Sequence, residues 1–247
     1  MENQNFNFNN PTDIQNVSSE VMAKTFTARV FSWMFLGLGI TGFMAYIFAI
    51  TPSLLSLMYV TTDGAITGMS ALGWIAMLAP LGLVLLIGAG INKLSYAAMI
   101  VVFLVFSALM GMSLSSIFLR YTSGSIFSVF LITGGMFGVM AFVGYTTHTD
   151  LTKFGSLMGM LLVGIIIASI VNLFMHSESF SYMLSFLVVA VFTGLTAYDV
   201  QKIKSIGAQI NSDGSTVGKM AIWAALSIYL DFINLFLALL RIFGSRR

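Results

Sequence analysis

Two aspartates, Asp199 and Asp231, interrupt stretches of the chain that otherwise carry no charge. Asp199 follows the charge-free run Phe180–Tyr198. Asp231 lies in the middle of another apolar run, Met220–Leu240. An aspartate at the centre of a membrane-spanning helix costs about 2.5–3.5 kcal/mol on insertion scales, and such acids usually line water-filled paths or pair with each other. Two of them on helices that are neighbours in sequence predict one shared site.

A close pair of carboxylates predicts a pH-dependent latch. In a poorly solvated place both groups cannot ionise at low cost, so we expect them to titrate as a coupled unit. Near neutral pH they can share one proton, which would bridge the two helices. Loss of that proton would leave two like charges facing each other, whereas a second proton would remove the charge that attracts a cation.

The last apolar run carries a polar seam, defined by residues that recur at spacings of three and four. Its members are Ala224, Ser227, Asp231, Asn234, Ala238 and Arg241. This spacing places them on one face of a helix. Small residues on such a face can serve helix packing alone. Packing needs no carboxylate, however, so we predict that Ser227, Asp231 and Asn234 turn toward an ion path together with Asp199.

The same carboxylates are candidate ligands for a metal. Ca²⁺ takes about 6–8 oxygen ligands, and Asp199 and Asp231 with Asn234 and some carbonyl groups supply fewer. We therefore expect weak Ca²⁺ binding at Asp199 and Asp231 and no dedicated cofactor. The absence of cysteine excludes disulfides and thiol chemistry.

The elements that must position these residues are membrane helices. The chain is 58% hydrophobic and 8% charged, whereas about a quarter of the residues of a soluble domain are charged. Crossing the hydrocarbon core takes about 20 apolar residues. Seven runs of this kind are separated by the charged residues: Phe31–Ile50, Met69–Ile91, Leu94–Phe118, Ser125–Thr147, Phe154–Met175, Phe180–Tyr198 and Met220–Leu240. The sequence predicts an all-α membrane protein, a bundle of seven transmembrane helices.

The chain divides into a short tail and this bundle. Residues 1–21 are polar and rich in asparagine, and we expect a disordered or loosely helical cytoplasmic tail. Residues 22–247 form the transmembrane domain. The net charge of +2 is too small to indicate nucleic acid binding. Within the bundle, Gly134-xxx-Gly138 and Gly155-xxx-Gly159 predict close helix packing.

Positive charge predicts the orientation, because lysine and arginine are enriched on the cytoplasmic side. A cytoplasmic N-terminus and seven full spans would put seven basic residues inside and four outside. If the last helix re-entered and returned, the ratio would be ten to one. Both arrangements place the N-terminus and the loop between Lys202 and Lys219 in the cytoplasm. The second suggests that the last helix is buried at the bundle centre.

Several segments resemble the Bax inhibitor family, also called the transmembrane Bax inhibitor motif proteins. The segments Ala197–Ile203 and Ala225–Phe236, followed by Leu240–Gly244, resemble the last two helices of that family. Gly144–Lys153 and Asn172–Phe174 resemble its fourth and fifth helices. The resemblance covers roughly residues 22–244 and is most specific in the last third of the chain.

The resemblance implies a seven-helix fold with a central last helix and a paired-aspartate pH sensor at Asp199 and Asp231. Bacterial members behave as pH-sensitive calcium leaks. The resemblance therefore implies a calcium leak channel or exchanger of the inner membrane, with Ca²⁺, protons and the lipid bilayer as its partners. In some calcium-leaking relatives an arginine on the second helix bonds to the acidic pair. Here the segment Ala65–Asn92 carries no charge, and Pro80 is its only predicted kink.

Three other functions remain to be weighed. A proton-coupled transporter, and a regulator that binds a membrane protease or another membrane protein, are both compatible with the sequence. Intramembrane aspartyl proteases also use two aspartates on adjacent helices, and Tyr198–Asp199 fits the first half of their pattern. The second half requires Gly-x-Gly-Asp, and Ile228–Asp231 lacks both glycines. We therefore expect no enzymatic activity.

Overall fold

The structure, a computed structural model, describes residues 11–62, 65–210 and 214–246, and almost all of these residues are helical. The helices are α1 (Pro11–Ile50), α2 (Pro52–Met58), α3 (Ala71–Gly90), α4 (Tyr96–Leu114), α5 (Ser116–Arg120), α6 (Ser123–Thr146), α7 (Thr152–Met175), α8 (Glu178–Gln209) and α9 (Gly214–Phe243). Two short strands between α2 and α3, β1 (Tyr59–Thr62) and β2 (Ala65–Met69), pair antiparallel. Residues 1–10 of the predicted tail and residues 211–213 of the loop after α8 lie outside the described residues.

Seven of the described helices are long and apolar enough to cross a membrane, which confirms the predicted all-α transmembrane bundle. The spans α1 and α8 extend furthest beyond the predicted apolar runs. α1 already begins at Pro11, so residues 11–21 of the predicted tail are helical. α8 continues through Gln209, so Asp199 lies well inside that helix rather than at its end.

Serine and threonine side chains cap the N-termini of four of the spans. The first amide groups of a helix have no partner within the helix, and in a membrane an unpaired amide group is costly. A hydroxyl oxygen therefore accepts a hydrogen bond from the backbone three residues ahead, as is typical of helix N-caps. These hydroxyl groups belong to Ser70 (α3), Ser95 (α4), Thr122 (α6) and Ser177 (α8).

The last helix, α9, is the centre of the bundle. In its most apolar stretch 72% of the residues are buried, against 6% in the corresponding stretch of α7. α1, α3, α4, α6 and α8 all pack against it. Small side chains such as Ala221 and Ala225, both fully buried, allow the neighbouring helices to approach closely. The predicted central position of the last helix is confirmed.

α9 crosses the whole bundle and does not return. At its start Lys219 Nζ donates to the Leu94 carbonyl oxygen between α3 and α4, at 3.4 Å. Beyond its end Ser245 N donates to Ser125 Oγ at the start of α6, at 2.9 Å. These two contacts lie at opposite ends of the bundle. The re-entrant alternative was therefore wrong, and the C-terminal arginine Arg241 lies at the end opposite to Lys219.

The predicted glycine contacts are partly wrong. A Cβ atom on Gly155 would collide with the Tyr198 ring, so this glycine does lie in a close helix contact. Gly134, Gly138 and Gly159 have open space instead. Among the described glycines the tightest contact is at Gly144 of α6, where a Cβ atom would collide with the Ala197 carbonyl group of α8.

We expect Gly144→Ala to destabilise the protein by about 1–3 kcal/mol, the usual penalty of overpacking, because backbone atoms of α8 occupy the space of the new methyl group. Gly138→Ala on the same helix is the matched control and should leave stability unchanged or slightly raised. The measurement is the thermal unfolding midpoint of both variants in detergent. Equal midpoints for the two variants would contradict the close packing of α6 on α8.

Candidate functional site

Asp199 and Asp231 lie side by side on α8 and α9, within reach of a hydrogen bond between their carboxyl groups. Ser227, one helical turn before Asp231, donates its hydroxyl group to Asp199 Oδ2 at 2.6 Å. A hydrogen bond between two carboxyl groups requires a proton on one of them. The structure therefore brings together three of the four predicted site residues in an arrangement that can hold one shared proton.

Asp231 is the deeper and less satisfied of the two aspartates. Its side chain is only 5% exposed, and among the described residues no hydrogen-bond donor reaches its Oδ2 atom. A buried carboxylate without partners is costly, and in proteins such groups are normally neutralised, paired or bound to a metal. The Oδ2 atom is accordingly the atom of this site that most needs a proton, either its own or one shared with Asp199.

A cavity of about 760 Å³ adjoins Asp231. Its wall is formed by α9 with residues of α7 and α8, and Leu81 contributes from α3. The polar seam of α9 faces this cavity through Ser227, Asp231, Asn234, Ala238 and Arg241. Ala224 does not line it and is buried among the helices. Asp199 does not line it either, and contacts the cavity wall only through Ser227 and Asp231.

The cavity extends from Asp231 toward the C-terminal end of α9. Arg241 lies ten residues further along the helix, which corresponds to about 15 Å at the usual rise per residue. Between them, Asn234 donates its amide group to the Leu230 carbonyl oxygen at 2.8 Å. The cavity-lining residues of α3 and α7 are uncharged. Asp231 and Arg241 therefore mark the two charged ends of the cavity.

The site offers few metal ligands. Within the described ranges of the chain, no group of three or more histidine, cysteine, aspartate or glutamate side chains could hold a metal ion. Asp199 and Asp231 supply two carboxyl groups, and Asn234 lies one turn away on α9. This donor set fits transient contact with a hard cation better than a closed binding site, since Ca²⁺ prefers about 6–8 oxygen ligands.

Gln201, two residues after Asp199, ties α8 to the loop between α6 and α7. Its Oε1 atom accepts a hydrogen bond from Leu151 N, and its Nε2 atom donates to the Thr149 carbonyl oxygen, both at 2.8 Å. Nearby, Lys204 Nζ donates to the Tyr145 carbonyl oxygen at the end of α6, also at 2.8 Å. We call these three hydrogen bonds the Gln201 bracket. The sequence analysis missed it, because its partners are about fifty residues away along the chain.

The opposite face of α9 is fixed by a buried hydrogen-bond network. Tyr229 is fully buried, and its hydroxyl group lies 2.7 Å from Thr41 Oγ1 of α1. Thr41 in turn donates to the Ser107 carbonyl oxygen of α4 at 2.8 Å. This network holds three helices in register and keeps the Asp231 side of α9 facing the cavity. Its only sequence signal is a tyrosine two residues before the aspartate.

Comparison with known proteins agrees with this architecture. Residues 23–247 match the family described as "Inhibitor of apoptosis-promoting Bax1". The chain is 45% identical over 225 residues to the inner membrane protein YbhL of Escherichia coli K12, a match that covers 91% of this chain and 93% of the relative. It is 43% identical over 237 residues to an uncharacterised protein of Borreliella burgdorferi, which covers 95% and 98% of the two chains. A Rickettsia prowazekii protein, RP147, is 40% identical over 237 residues, or 96% of each chain.

We expect Gln201→Leu to release the loop between α6 and α7. The variant loses two hydrogen bonds, each of which contributes about 0.5–1.5 kcal/mol to stability. The Leu151 amide hydrogen should therefore exchange with solvent about tenfold faster. The measurement is hydrogen–deuterium exchange of the loop peptide. Gln209→Leu is the matched control, because the Gln209 amide group contacts only Ser205 on its own helix. Equal exchange in both variants would contradict a bracketing role for Gln201.

Proposed function

Because this chain belongs to the Bax inhibitor family and is a multi-pass membrane protein, we propose that it is a pH-sensitive leak channel or exchanger for calcium or a similar cation. Asp199 and Asp231 form its gate. The observation that carries this proposal is the buried carboxyl group of Asp231, whose Oδ2 atom receives no hydrogen bond, in the wall of a cavity of about 760 Å³. A structural helix contact has no need of such an atom.

The shape of the bundle supports a gate at this depth. On one side of Asp231 the cavity leads toward Arg241. At the level of Asp199 the helices are in close contact, with Gly144 against the Ala197 backbone and Gly155 against the Tyr198 ring. Beyond this level, Gln201 ties α8 to the loop between α6 and α7. In this proposal ions enter from the Arg241 side, and these contacts close the path past the aspartates.

The direction of the pH response follows from the charges around the pair. Lys202 lies close enough to act electrostatically on Asp199, Arg241 lines the cavity, and the cavity-lining residues of α3 and α7 are uncharged. The closed state therefore depends on the shared proton and on packing, with no cation from α3 to replace it. Loss of the proton at higher pH makes the carboxylates repel each other and creates the charge that attracts a cation. Both effects increase the leak in alkali.

We expect reconstituted wild-type protein to leak more calcium at pH 8 than at pH 6, and Asp199→Asn or Asp231→Asn to abolish this difference. The measurement is calcium flux into liposomes that contain only this protein and a calcium-sensitive dye. Asp150→Asn is the control. Hydrogen bonds from Thr152 lower the pKa of Asp150, a fully exposed loop carboxylate, so it stays ionised over this range.

The outcomes separate the candidate functions. Two results would contradict the paired-aspartate gate. One is a wild-type calcium flux that is the same at pH 6 and pH 8. The other is a difference between these pH values that is as large in Asp231→Asn as in the wild type. Absence of calcium flux at both pH values would favour a regulator that binds another membrane protein. Calcium uptake that requires a proton gradient would favour a proton-coupled transporter.

Orientation is part of the same proposal, with the N-terminus in the cytoplasm and the cavity open to the outside. The end of the bundle that holds the start of α1 carries most of the lysines, which are enriched on cytoplasmic sides. Ser212, in the loop between Lys202 and Lys219 that the sequence predicts to be cytoplasmic, lies outside the described residues. Ser53 on α2 and Lys93 after α3, both exposed, mark the two ends of the bundle.

We expect Ser53→Cys to react with a membrane-impermeant maleimide in intact cells and Lys93→Cys to react only after permeabilisation. The native chain has no cysteine, so each variant carries a single label site. The unmodified chain is the background control. The reverse labelling pattern would overturn the orientation and with it the direction in which the cavity opens.

A further inference from the structure

A second cavity of about 740 Å³ lies at the end of the bundle that holds the C-terminal end of α9. We call it the arginine basin. Its polar wall consists of Arg120, Arg241, Arg246, Glu178, Tyr59, Tyr121 and Ser116. Neither the paired-aspartate gate nor the family match accounts for it.

The three arginines come from separate elements that backbone contacts hold together. Arg120 ends α5, and Arg241 lies in the last turn of α9. The segment after α9 is fastened to the start of α6, where Thr122 N donates to the Ser245 carbonyl oxygen at 3.1 Å. Next to this bond, Arg246 forms an isolated β-bridge with Tyr121. The basin is therefore assembled by the fold rather than by a run of basic residues.

Positive charge exceeds negative charge in the basin. Its one acidic residue, Glu178, lies 3.7 Å from Arg246, and both side chains are largely exposed, so that this ion pair is weak. Within residues 11–62, 65–210 and 214–246, no carboxylate lies within ion-pair distance of Arg120 or Arg241. The carboxyl end of α9 favours a cation nearby, which accounts for Arg241 but not for the convergence of three arginines.

The type of basic residue differs between the two ends of the bundle. The end opposite to the basin carries six lysines and one arginine: Lys24, Arg29, Lys93, Lys153, Lys202, Lys204 and Lys219. The described basic residues at the basin end are all arginines. A membrane boundary selects for positive charge of either kind. Arginine, in contrast to lysine, offers a planar pair of donors that fits two oxygens of a phosphate group.

We propose that the arginine basin binds a phosphate oxyanion, which belongs either to the headgroup of an anionic phospholipid or to free inorganic phosphate. The volume falls within the range of about 300–1,000 Å³ that is usual for small-molecule sites. Arg120 and Arg246 hold the phosphate oxygens, and Leu237 and Leu240 give the basin an apolar wall. Because Arg241 also lines the aspartate cavity, a bound anion would offset the positive charge at the mouth of that cavity.

The test uses the full-length protein and two probes. Native mass spectrometry counts the phosphatidylglycerol molecules retained after mixing with phosphatidylcholine and phosphatidylglycerol, and equilibrium dialysis measures binding of radiolabelled inorganic phosphate. We expect Arg120→Gln and Arg246→Gln to weaken binding about tenfold or more, since a hydrogen bond between charged groups is lost. Lys93→Gln and Lys153→Gln, which remove exposed charges at the other end, should bind like wild type.

Each outcome decides the proposal. Arginine-dependent retention of phosphatidylglycerol alone identifies a lipid headgroup site, and arginine-dependent binding of inorganic phosphate identifies a site for the free anion. The proposal would be overturned if the protein bound neither probe. It would also be overturned if the lysine variants lost as much binding as the arginine variants. If a glutamine variant fails to elute as a folded protein on size exclusion, Arg120→Lys and Arg246→Lys replace it, since they keep the charge but not the paired donors.

Discussion

The burial of α9 is the constraint on which the rest of the structure depends. A helix that is enclosed on nearly all sides by other helices must be apolar or small at most positions, and any ionisable group on it must find a partner inside the protein. Asp231 is such a group, and the carboxyl group of Asp199 lies within hydrogen-bond reach of it. The same enclosure makes the pair sensitive to its protonation state, because buried charges are screened less than charges in bulk water.

The two faces of α9 have different roles. One face is fixed in position by the hydrogen bonds of Tyr229 and Thr41, which link it to α1 and α4. The other face borders the aspartate cavity through the polar seam. A change in the charge of Asp231 would therefore act on a helix that is anchored on its far side. The neighbouring helix α8 carries Asp199 and, through Gln201, holds the loop between α6 and α7.

The bundle is also asymmetric along its axis. The end with the start of α1 is rich in lysine and holds the tight contacts of Gly144 and Gly155. The aspartate cavity and the arginine basin extend to the other end, where no lysine is found among the described residues. Arg241 and Leu237 line both cavities. A cation path and an anion site in these cavities would influence each other through the charge of Arg241. The family match extends across nearly the whole chain and so includes both regions.

The sequence by itself determined the membrane helices, the two buried aspartates and the polar seam, because length, apolar content and helical spacing are local properties. It did not determine which glycine lies at a close contact: Gly144 does and Gly134 does not, although both lie on α6. Only the tertiary structure decided that α9 crosses the bundle completely and that Gln201 reaches a distant loop. It also decided that three arginines from separate elements meet. These features depend on which helix faces pack together, and that is set by the complementarity of surfaces distant in sequence.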